Sequence, residues 1–223
     1  LVQVTEDGGQ NWRKIESFPG VPEMTYVSCL YASRFDGNKV YATFDNHKRA
    51  DFKPYILVSK DKGNSWQSIS GELKEPHVVY AITQDFIKPD LLFIGTEYGV
   101  FFTINGGKKW IQLKGELPTQ AVRDIDIQER ENDLALATFG RGFYILDNYS
   151  PLREIDENTL NSENYKLFPV KDALMFLKRN ATFGSQGSSF FKADNPPFGA
   201  TFTYYIKEAP KNMKAERQQK EKE

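Results

Sequence analysis

Short apolar runs separated by polar turns fill residues 1–155 of the chain. Residues 78–85, 91–95 and 99–104 are typical runs, rich in Val, Ile, Phe, Tyr and Thr. β-Branched and aromatic residues favour strands, and Gly, Asn and Asp favour the turns between them. The chain is rich in aromatic residues, with 17 Phe, 11 Tyr and 3 Trp. The pattern therefore predicts an all-β fold of antiparallel strands.

Three of the turns carry one octapeptide pattern, [Ser/Thr]-x-[Asp/Asn]-x-Gly-x-x-Trp. The Asp or Asn side chain can accept hydrogen bonds from backbone N–H groups, and Gly adopts positive φ without steric cost. The Trp offers a large apolar surface to the turn or to the neighbouring repeat. A motif that recurs in this way indicates a repeat architecture. We expect these motif residues to be structural: Thr5, Asp7, Gly9, Trp12, Ser59, Asp61, Gly63, Trp66, Thr103, Asn105, Gly107 and Trp110.

The segments between the motifs divide into groups of four strands, as in the blades of a β-propeller. The first group has only its third and fourth strands, residues 1–5 and 12–16. The later strands are expected at residues 26–33, 39–44, 55–59 and 66–70, then 78–85, 91–95, 99–104 and 110–113, then 121–128, 133–138 and 142–147, with residues 152–155 as a candidate fourth strand. These are about three and a half blades, and a full ring usually has four to eight. We therefore expect the remaining blades of the same ring to be partners of this chain.

The octapeptide is that of the Asp-box, or bacterial neuraminidase repeat, of β-propellers. Four further segments, residues 44–55, 94–99, 122–124 and 137–147, resemble the last blades of sortilin-type propellers. More closely, they resemble large bacterial secreted proteins described as glycosyl hydrolase-like. The resemblance covers residues 1–153 and implies a secreted, periplasmic or cell-surface protein of several domains. At Phe139 those proteins have a His before Gly-Arg-Gly, so no role of that His carries over.

The composition changes after residue 155. Residues 156–194 are polar, with scattered Gly, Ser and Phe, and are expected to form an extended linker. Residues 195–206 begin with Asn-Pro-Pro-Phe-Gly-Ala and then alternate like a strand. The resemblance implies that this segment is the first strand of a truncated β-sandwich. Residues 207–223 are densely charged without an apolar stripe, which predicts a solvated helix or a disordered tail.

Charge and composition argue against several functions. The 29 basic and 30 acidic residues give a net charge of −1, so no global field attracts nucleic acid or an anionic membrane. No apolar window is long enough for a transmembrane helix. The two His residues and the single Cys29 give no metal-ligand spacing, so we expect no metal and no cofactor. Cys29 lies in an apolar run, where it is either a buried inert thiol or a reactive one.

Candidate ligand-binding residues lie on the rim opposite the three Trp motifs, where the second and third strands of each blade are joined. This rim contains residues 45–54, 97–99 and 140–142. The first of these loops is the longest and carries His47 and Arg49; it either binds a ligand or covers the mouth of its own blade. Tyr98 lies in the second loop.

Charged residues near this rim allow two further interpretations. Asp45 and Glu97 occupy equivalent places on adjacent blades, so they are candidates for the acid and base of glycoside cleavage. Alternatively, each caps its own loop by accepting backbone hydrogen bonds. Arg123, Asp124 and Arg141 either bind an acidic ligand or form ion pairs that lock the last blade.

Three functions follow from these observations. The first is a non-catalytic propeller module of a secreted protein that binds protein or glycan through the rim opposite the Trp motifs. The second is a glycoside hydrolase of the sialidase or xyloglucanase type, with catalytic residues partly in other blades. The third is a structural spacer. Fold alone does not choose among them.

Overall fold

The computed structural model describes residues 1–156, 159, 164–173, 175–177, 198–208 and 212–221. It divides into two compact units, Leu1–Ile155 and Asp156–Glu223. The first unit is all-β, and each of its sheets is built from antiparallel strands that are consecutive in the chain.

The first unit, all of whose residues are described, contains four sheets. Their strands follow one another by short hairpin connections, so neighbours in sequence are neighbours in space. The first sheet is β1 (Val2–Val4) and β2 (Arg13–Ile15). The second is β3 (Tyr26–Ala32), β4 (Val40–Asp45), β5 (Tyr55–Ser59) and β6 (Gln67–Ser68). The third is β7 (Val79–Gln84), β8 (Leu92–Thr96), β9 (Gly99–Thr103) and β10 (Ile111–Leu113). The fourth is β11 (Val122–Gln128), β12 (Asp133–Thr138) and β13 (Phe143–Leu146).

The second, third and fourth sheets share one register. The pairing of the first two strands shifts by one residue, at Ser28, Tyr80 and Arg123 respectively. Directly after each shift, three cross-strand neighbours form a row, and a second row follows two residues further on. The first rows are Cys29–Thr43–Ile56, Ala81–Gly95–Val100 and Asp124–Ala137–Phe143. The second rows are Tyr31–Tyr41–Val58, Thr83–Phe93–Phe102 and Asp126–Ala135–Ile145. Cross-strand neighbours point to the same face of a sheet, so each row marks one face.

Apolar side chains between successive sheets form the core. One cluster joins the rows of the second sheet to Ile82, Ile94 and Phe101 of the third. Another joins the rows of the third sheet to Leu134 and Leu136 of the fourth. Gly95 brings the third and fourth sheets close together, because a Cβ there would lie 2.6 Å from the carbonyl oxygen of Val122.

The three Trp motifs are tight, internally bonded turns. In each, the Ser or Thr hydroxyl accepts from the Gly N–H, at 2.8 Å for Thr5, 2.7 Å for Ser59 and 3.0 Å for Thr103. The Asp or Asn oxygen accepts from the backbone N–H four residues later, at distances of 2.8–3.0 Å. Hydrogen bonds from the backbone N–H and side chain of Asn11 lower the pKa of Asp7 to about 2. Those from the Ser65 hydroxyl and backbone N–H lower the pKa of Asp61 to about 2.

The third Trp motif also packs on the preceding sheet. Trp110 donates from Nε1 to the carbonyl of Ile69 at 2.8 Å. Gly107 has a φ of +96°, and a Cβ there would lie 2.7 Å from Cβ of Ile69. The Gly and Trp of this motif therefore fix the turn and also hold one sheet against the next. The motif residues of the first copy are more open, and Trp12 is 55% exposed.

The candidate fourth strand at residues 152–155 was a wrong prediction. Ser150–Arg153 forms a 3₁₀ helix instead. Pro151 sits at its start, where proline's missing N–H and fixed φ favour a helical turn over a strand. The guanidinium of Arg153 is also held by Asp85, the residue after β7, with Nη2 2.7 Å from Oδ1.

The second unit is described only in part. β14 (Tyr165–Leu167) pairs antiparallel with β15 (Tyr204–Ile206), and α1 (Met213–Lys220) follows. β14 lies inside the expected linker, so this short extended piece is a strand. Residues 157–158, 160–163, 174 and 178–194 of the linker, residues 195–197 of the expected sandwich strand, and residues 209–211 and 222–223 of the tail lie outside the described residues. In the described part of the chain, no helix has the length and apolar character to cross a membrane.

Candidate functional site

A cleft of about 200 Å³ lies on the rim that joins second to third strands. Three neighbouring parts of the first unit contribute to it: the β4–β5 loop, the segment before and within β7 with the β8–β9 turn, and the start of β11. A 3₁₀ helix, His47–Arg49, shapes the first of these loops. The lining residues are His47, Phe52, Pro76, Val78, Tyr80, Glu97, Tyr98 and Arg123.

Tyr80, Glu97 and Arg123 form the polar centre of the cleft. The Tyr80 hydroxyl donates to Glu97 Oε2, and Nη2 of Arg123 lies 3.9 Å from the same oxygen. The guanidinium carbon of Arg123 is 3.8 Å from the centroid of the Tyr80 ring and 5.4 Å from that of Phe139. Tyr80 is buried, and burial together with its bond to Glu97 raises the pKa of its hydroxyl. Tyr80 is therefore a donor that positions Glu97.

Arg123 and Glu97 remain accessible despite this pairing. Each side chain is 41% exposed. A separation of 3.9 Å is longer than a charge-assisted hydrogen bond, which is about 2.7–2.9 Å. The guanidinium lies over the Tyr80 ring and therefore still presents donors to a molecule that enters the cleft.

His47 is oriented by Asp45 at the edge of the cleft. Nδ1 of His47 lies 2.6 Å from Oδ1 of Asp45, and the His47 backbone N–H donates to the same oxygen at 3.0 Å. The Asp45 side chain is only 11% exposed, so it sits behind the ring and not in the cleft. Because Asp45 engages Nδ1, Nε2 is the ring nitrogen available to a ligand.

One wall of the cleft is supported by the aromatic rings of His77, Phe101 and Tyr98. The His77 ring stacks edge-on against Phe101, with centroids 4.8 Å apart, and against Tyr98 at 5.9 Å. The His77 backbone N–H donates to the carbonyl of Phe52 at 3.1 Å, which ties the long loop to this wall. Burial lowers the pKa of His77. Within the described residues, its buried Nδ1 has no hydrogen-bond partner.

The structure brings only some of the predicted residues together. His47, Glu97, Tyr98 and Arg123 line the cleft, and Asp45 supports it. Arg49 donates to the carbonyl of Glu23 at 2.7 Å, away from the cleft lining. Asp124 accepts from the N–H of Ile125 at 2.9 Å and belongs to the opposite face of β11, while Arg141 is an exposed residue of the β12–β13 turn.

Sequence reasoning missed the apolar part of the cleft and Tyr80. Tyr80 lies in an uninterrupted apolar run and was assigned to a strand interior. The register shift at this residue turns its side chain toward the cleft, and no sequence pattern identifies such a shift. Phe52 stands in the polar long loop, where its aromatic character was the only signal.

A buried ion pair was missed as well. Asp85 is fully buried and receives hydrogen bonds from Arg153 Nε at 2.8 Å, from the Tyr149 hydroxyl at 2.8 Å and from the Lys88 N–H at 2.6 Å. Burial alone would raise the pKa of Asp85, but these donors outweigh it, so the pKa is lowered. This pair joins the third sheet to the segment after the fourth and is structural.

Two other features, a second cavity and Cys29, do not combine groups that suggest a catalytic site. A cavity of about 550 Å³ beside β5 and β6 combines Lys53, Lys74 and Glu75 with serines and apolar side chains, without a cluster of catalytic groups. Cys29 is half-buried, and burial raises the pKa of its thiol. In the described parts of the chain, no three His, Cys, Asp or Glu side chains meet as a metal-binding group.

No family model and no curated protein sequence matches the chain. Solved structures of similar fold include the GH74 xyloglucanase from Xanthomonas campestris, with 16% identity and a TM-score of 0.52 over 70% of this chain. YCF48 bound to D1 peptide (19% identity, TM-score 0.47) matches 66% of this chain and 43% of its own, and the K499G mutant of the NanB sialidase from Streptococcus pneumoniae (13%, 0.43) matches 65% and 25%. The match covers 24% of the xyloglucanase chain. The successive four-stranded sheets and the likeness to the xyloglucanase make the first unit part of a β-propeller, and its sheets are blades.

Proposed function

We propose that this chain belongs to a non-catalytic binding propeller of a secreted multidomain protein, and that its protein or glycan ligand docks in the rim cleft. The observation that carries the proposal is the composition of that cleft. It places a half-exposed Arg123 and Glu97 beside the aromatic ring of Tyr98, which is 38% exposed. A few polar groups on an apolar floor are typical of a recognition site.

The contacts of the two candidate carboxylates favour binding over catalysis. Asp45 is occupied by His47, through both the ring and the backbone N–H. Glu97 accepts a hydrogen bond from the Tyr80 hydroxyl, and Arg123 lies beside it. A glycosidase needs one carboxyl group that holds a proton at the leaving oxygen and a second that faces the sugar. Asp45 points at His47 instead, and Glu97 Oε2 accepts from the Tyr80 hydroxyl and lies 3.9 Å from Arg123 Nη2.

Glycoside hydrolysis is the second candidate, because Asp45 and Glu97 both lie at this rim and other blades can add residues. Glu97→Gln and Asp45→Asn in the natural protein that contains this sequence separate the two functions. If either residue is catalytic, turnover of aryl-glycoside and oligosaccharide substrates falls by about 10²–10⁴-fold in a folded variant. That loss would overturn the non-catalytic proposal. If the chain is a structural spacer, the third candidate, we expect neither turnover of these substrates nor binding of a ligand.

Binding is tested by screening the natural protein against glycan and peptide panels, followed by titration of the best ligand. Arg123→Met and Tyr98→Ala should each lower the affinity for this ligand by at least about tenfold, as is typical when a central interface side chain is removed. Arg130→Met and Phe35→Ala are matched controls in the β11–β12 and β3–β4 turns, on the opposite rim. Equal affinity of all four variants would reject the cleft as the binding site.

A further inference from the structure

The size of the rim cleft limits its occupant to one small group. Its volume is about 200 Å³. Pockets that enclose a drug-sized ligand are larger, about 300–1,000 Å³. The lining combines an apolar part, with Phe52, Pro76 and Val78, and a polar part, with Glu97 and Arg123. The cleft therefore suits one ring or one side chain that has both an apolar surface and a polar edge.

The charges around the cleft do not favour an anion. The Arg123 guanidinium is matched by the Glu97 carboxylate, with Nη2 3.9 Å from Oε2, and a second carboxylate, Asp45, lies behind His47. The charge of Asp45 is felt in the cleft: burial and the bond to Glu97 raise the pKa of the Tyr80 hydroxyl, and Asp45 adds to this rise. With His neutral at pH 7, a bound anion would meet two carboxylates and one cation. Like charges at such close range are unfavourable.

Hydroxyl groups match the polar part of the cleft better than an ion does. The Arg123 guanidinium only donates hydrogen bonds and the Glu97 carboxylate only accepts them, whereas a hydroxyl does both. Two hydroxyls on neighbouring carbons can therefore accept from Arg123 and donate to Glu97. Both side chains are 41% exposed, which leaves them open to such a ligand.

Tyr98 offers a firmly held aromatic ring beside these polar groups. Its backbone N–H donates to Thr96 Oγ1 at 3.2 Å, and its carbonyl accepts from Gln112 Nε2 at 3.1 Å. Its ring meets the His77 ring edge-on, with centroids 5.9 Å apart, and stays 38% exposed. The negative face of an aromatic ring attracts positively polarised hydrogens. The C–H face of a sugar presents such hydrogens and, unlike a flat surface of water, covers the ring.

We propose that the cleft binds one uncharged sugar residue and discriminates against acidic sugars. This inference rests on the proposed binding function and names its ligand class. Two neighbouring hydroxyls engage Arg123 and Glu97, and the C–H face of the sugar packs on Tyr98. The amide side chain of a peptide also donates and accepts, but it has no apolar face to cover Tyr98. Glu97 determines the specificity, because its carboxylate repels that of a sugar acid.

Saturation-transfer NMR with the 223-residue chain tests the proposal. The probes are methyl glycosides of neutral hexoses, each beside its uronic acid, and an acidic peptide. At least one neutral glycoside should bind, with at least about tenfold higher affinity than its uronic acid. Tyr98→Ala should lower this affinity by at least about tenfold, and Phe35→Ala, an exposed ring on the opposite rim, should leave it unchanged.

Glu97→Gln should change the specificity, which a merely structural role of Glu97 would not do. The change removes the charge and keeps an acceptor, so the affinity for the uronic acid should rise by at least about tenfold. Glu116→Gln, an exposed control, should leave the preference for the neutral sugar unchanged. The same preference in wild type and Glu97→Gln overturns the role of Glu97.

The remaining outcomes separate this inference from the proposed function. If a uronic acid or the acidic peptide binds the wild type more tightly than every neutral glycoside does, and Arg123→Met abolishes this binding, the uncharged sugar is overturned and the cleft stands as the binding site. If Tyr98→Ala and Arg123→Met leave the affinity for every bound probe unchanged, the cleft itself is rejected. Absence of saturation transfer to all neutral glycosides also overturns the inference.

Discussion

Arg153→Met tests whether the buried ion pair holds the fourth blade to the third. Asp85 has no exposed surface, and the change removes the guanidinium while leaving the carboxylate buried. Breaking a buried pair from one side typically costs about 3–5 kcal/mol. In this variant Asp85 would keep its hydrogen bonds from the Ile87 N–H at 2.7 Å, the Lys88 N–H at 2.6 Å and the Tyr149 hydroxyl at 2.8 Å. We therefore expect the lower end of that range, about 3 kcal/mol of unfolding free energy.

The assay is urea unfolding followed by Trp fluorescence, since Trp12, Trp66 and Trp110 all lie in the first unit. Arg130→Met is the matched control, because the Arg130 side chain is 82% exposed and should change stability by less than about 0.5 kcal/mol. A second variant, Asp85→Asn combined with Arg153→Met, removes both charges and should recover part of the loss. A loss below about 1 kcal/mol in Arg153→Met would refute the structural role, since an exposed pair costs no more.

The same pair sets a pH dependence whose sign follows from the pKa. Because the pKa of Asp85 is lowered in the folded state, its charge contributes stability above the pKa of an unfolded Asp, and this contribution is lost as the pH falls through the lowered value. The difference between wild type and Arg153→Met should therefore be largest at pH 7 and shrink below about pH 4. A difference that stays constant down to pH 2 contradicts this assignment.

Three other predictions concern the blade contacts. Gly107→Ala places a Cβ 2.7 Å from Cβ of Ile69 at a positive φ, so it should cost about 2–4 kcal/mol in urea unfolding, whereas Gly37→Ala, in open space, should cost less than 1 kcal/mol. Gly95→Ala places its Cβ 2.6 Å from the Val122 carbonyl oxygen and should cost about 1–3 kcal/mol; wild-type stability would contradict close packing of the third and fourth blades. Asp61→Ala removes the acceptor for the Ser65 hydroxyl and N–H, so it should lower the melting temperature more than Lys60→Ala does. Because hydrogen bonds from Ser65 lower the pKa of Asp61 to about 2, the difference between the two variants should shrink between pH 4 and pH 2. Equal melting temperatures of the two variants would count against the structural role of the motif.

Local chemistry made the blades readable from the sequence. The residue types of the turn motif predict its hydrogen bonds, because a hydroxyl, a carboxylate or amide, and a Gly at fixed offsets can form only a few turns. Apolar runs between the motifs then give the strands, and the all-β propeller expectation is confirmed by the sheets and by the likeness to a solved propeller. The exception was Ser150–Arg153, where Pro151 favours a helical turn and Arg153 pairs with the distant Asp85.

The cleft was only partly predictable for a related reason. His47, Glu97 and Tyr98 stand in short polar loops, and hairpin geometry places those loops on one rim. Tyr80 contributes through a register shift, which depends on how two strands pair and not on either strand alone. Arg123 was identified as a candidate, but its partners, Glu97 and Tyr80, became visible only once adjacent blades were in contact.

Hydrogen exchange with mass spectrometry tests the central claim, that ligand binds in the rim cleft, most directly. The natural protein is measured with and without the best ligand from the glycan and peptide panels. The account predicts slower exchange in residues 47–53 and 97–99, and unchanged exchange in the Trp motifs at residues 59–66 and 103–110. Protection of the Trp motifs, with no change at residues 97–99, would contradict it.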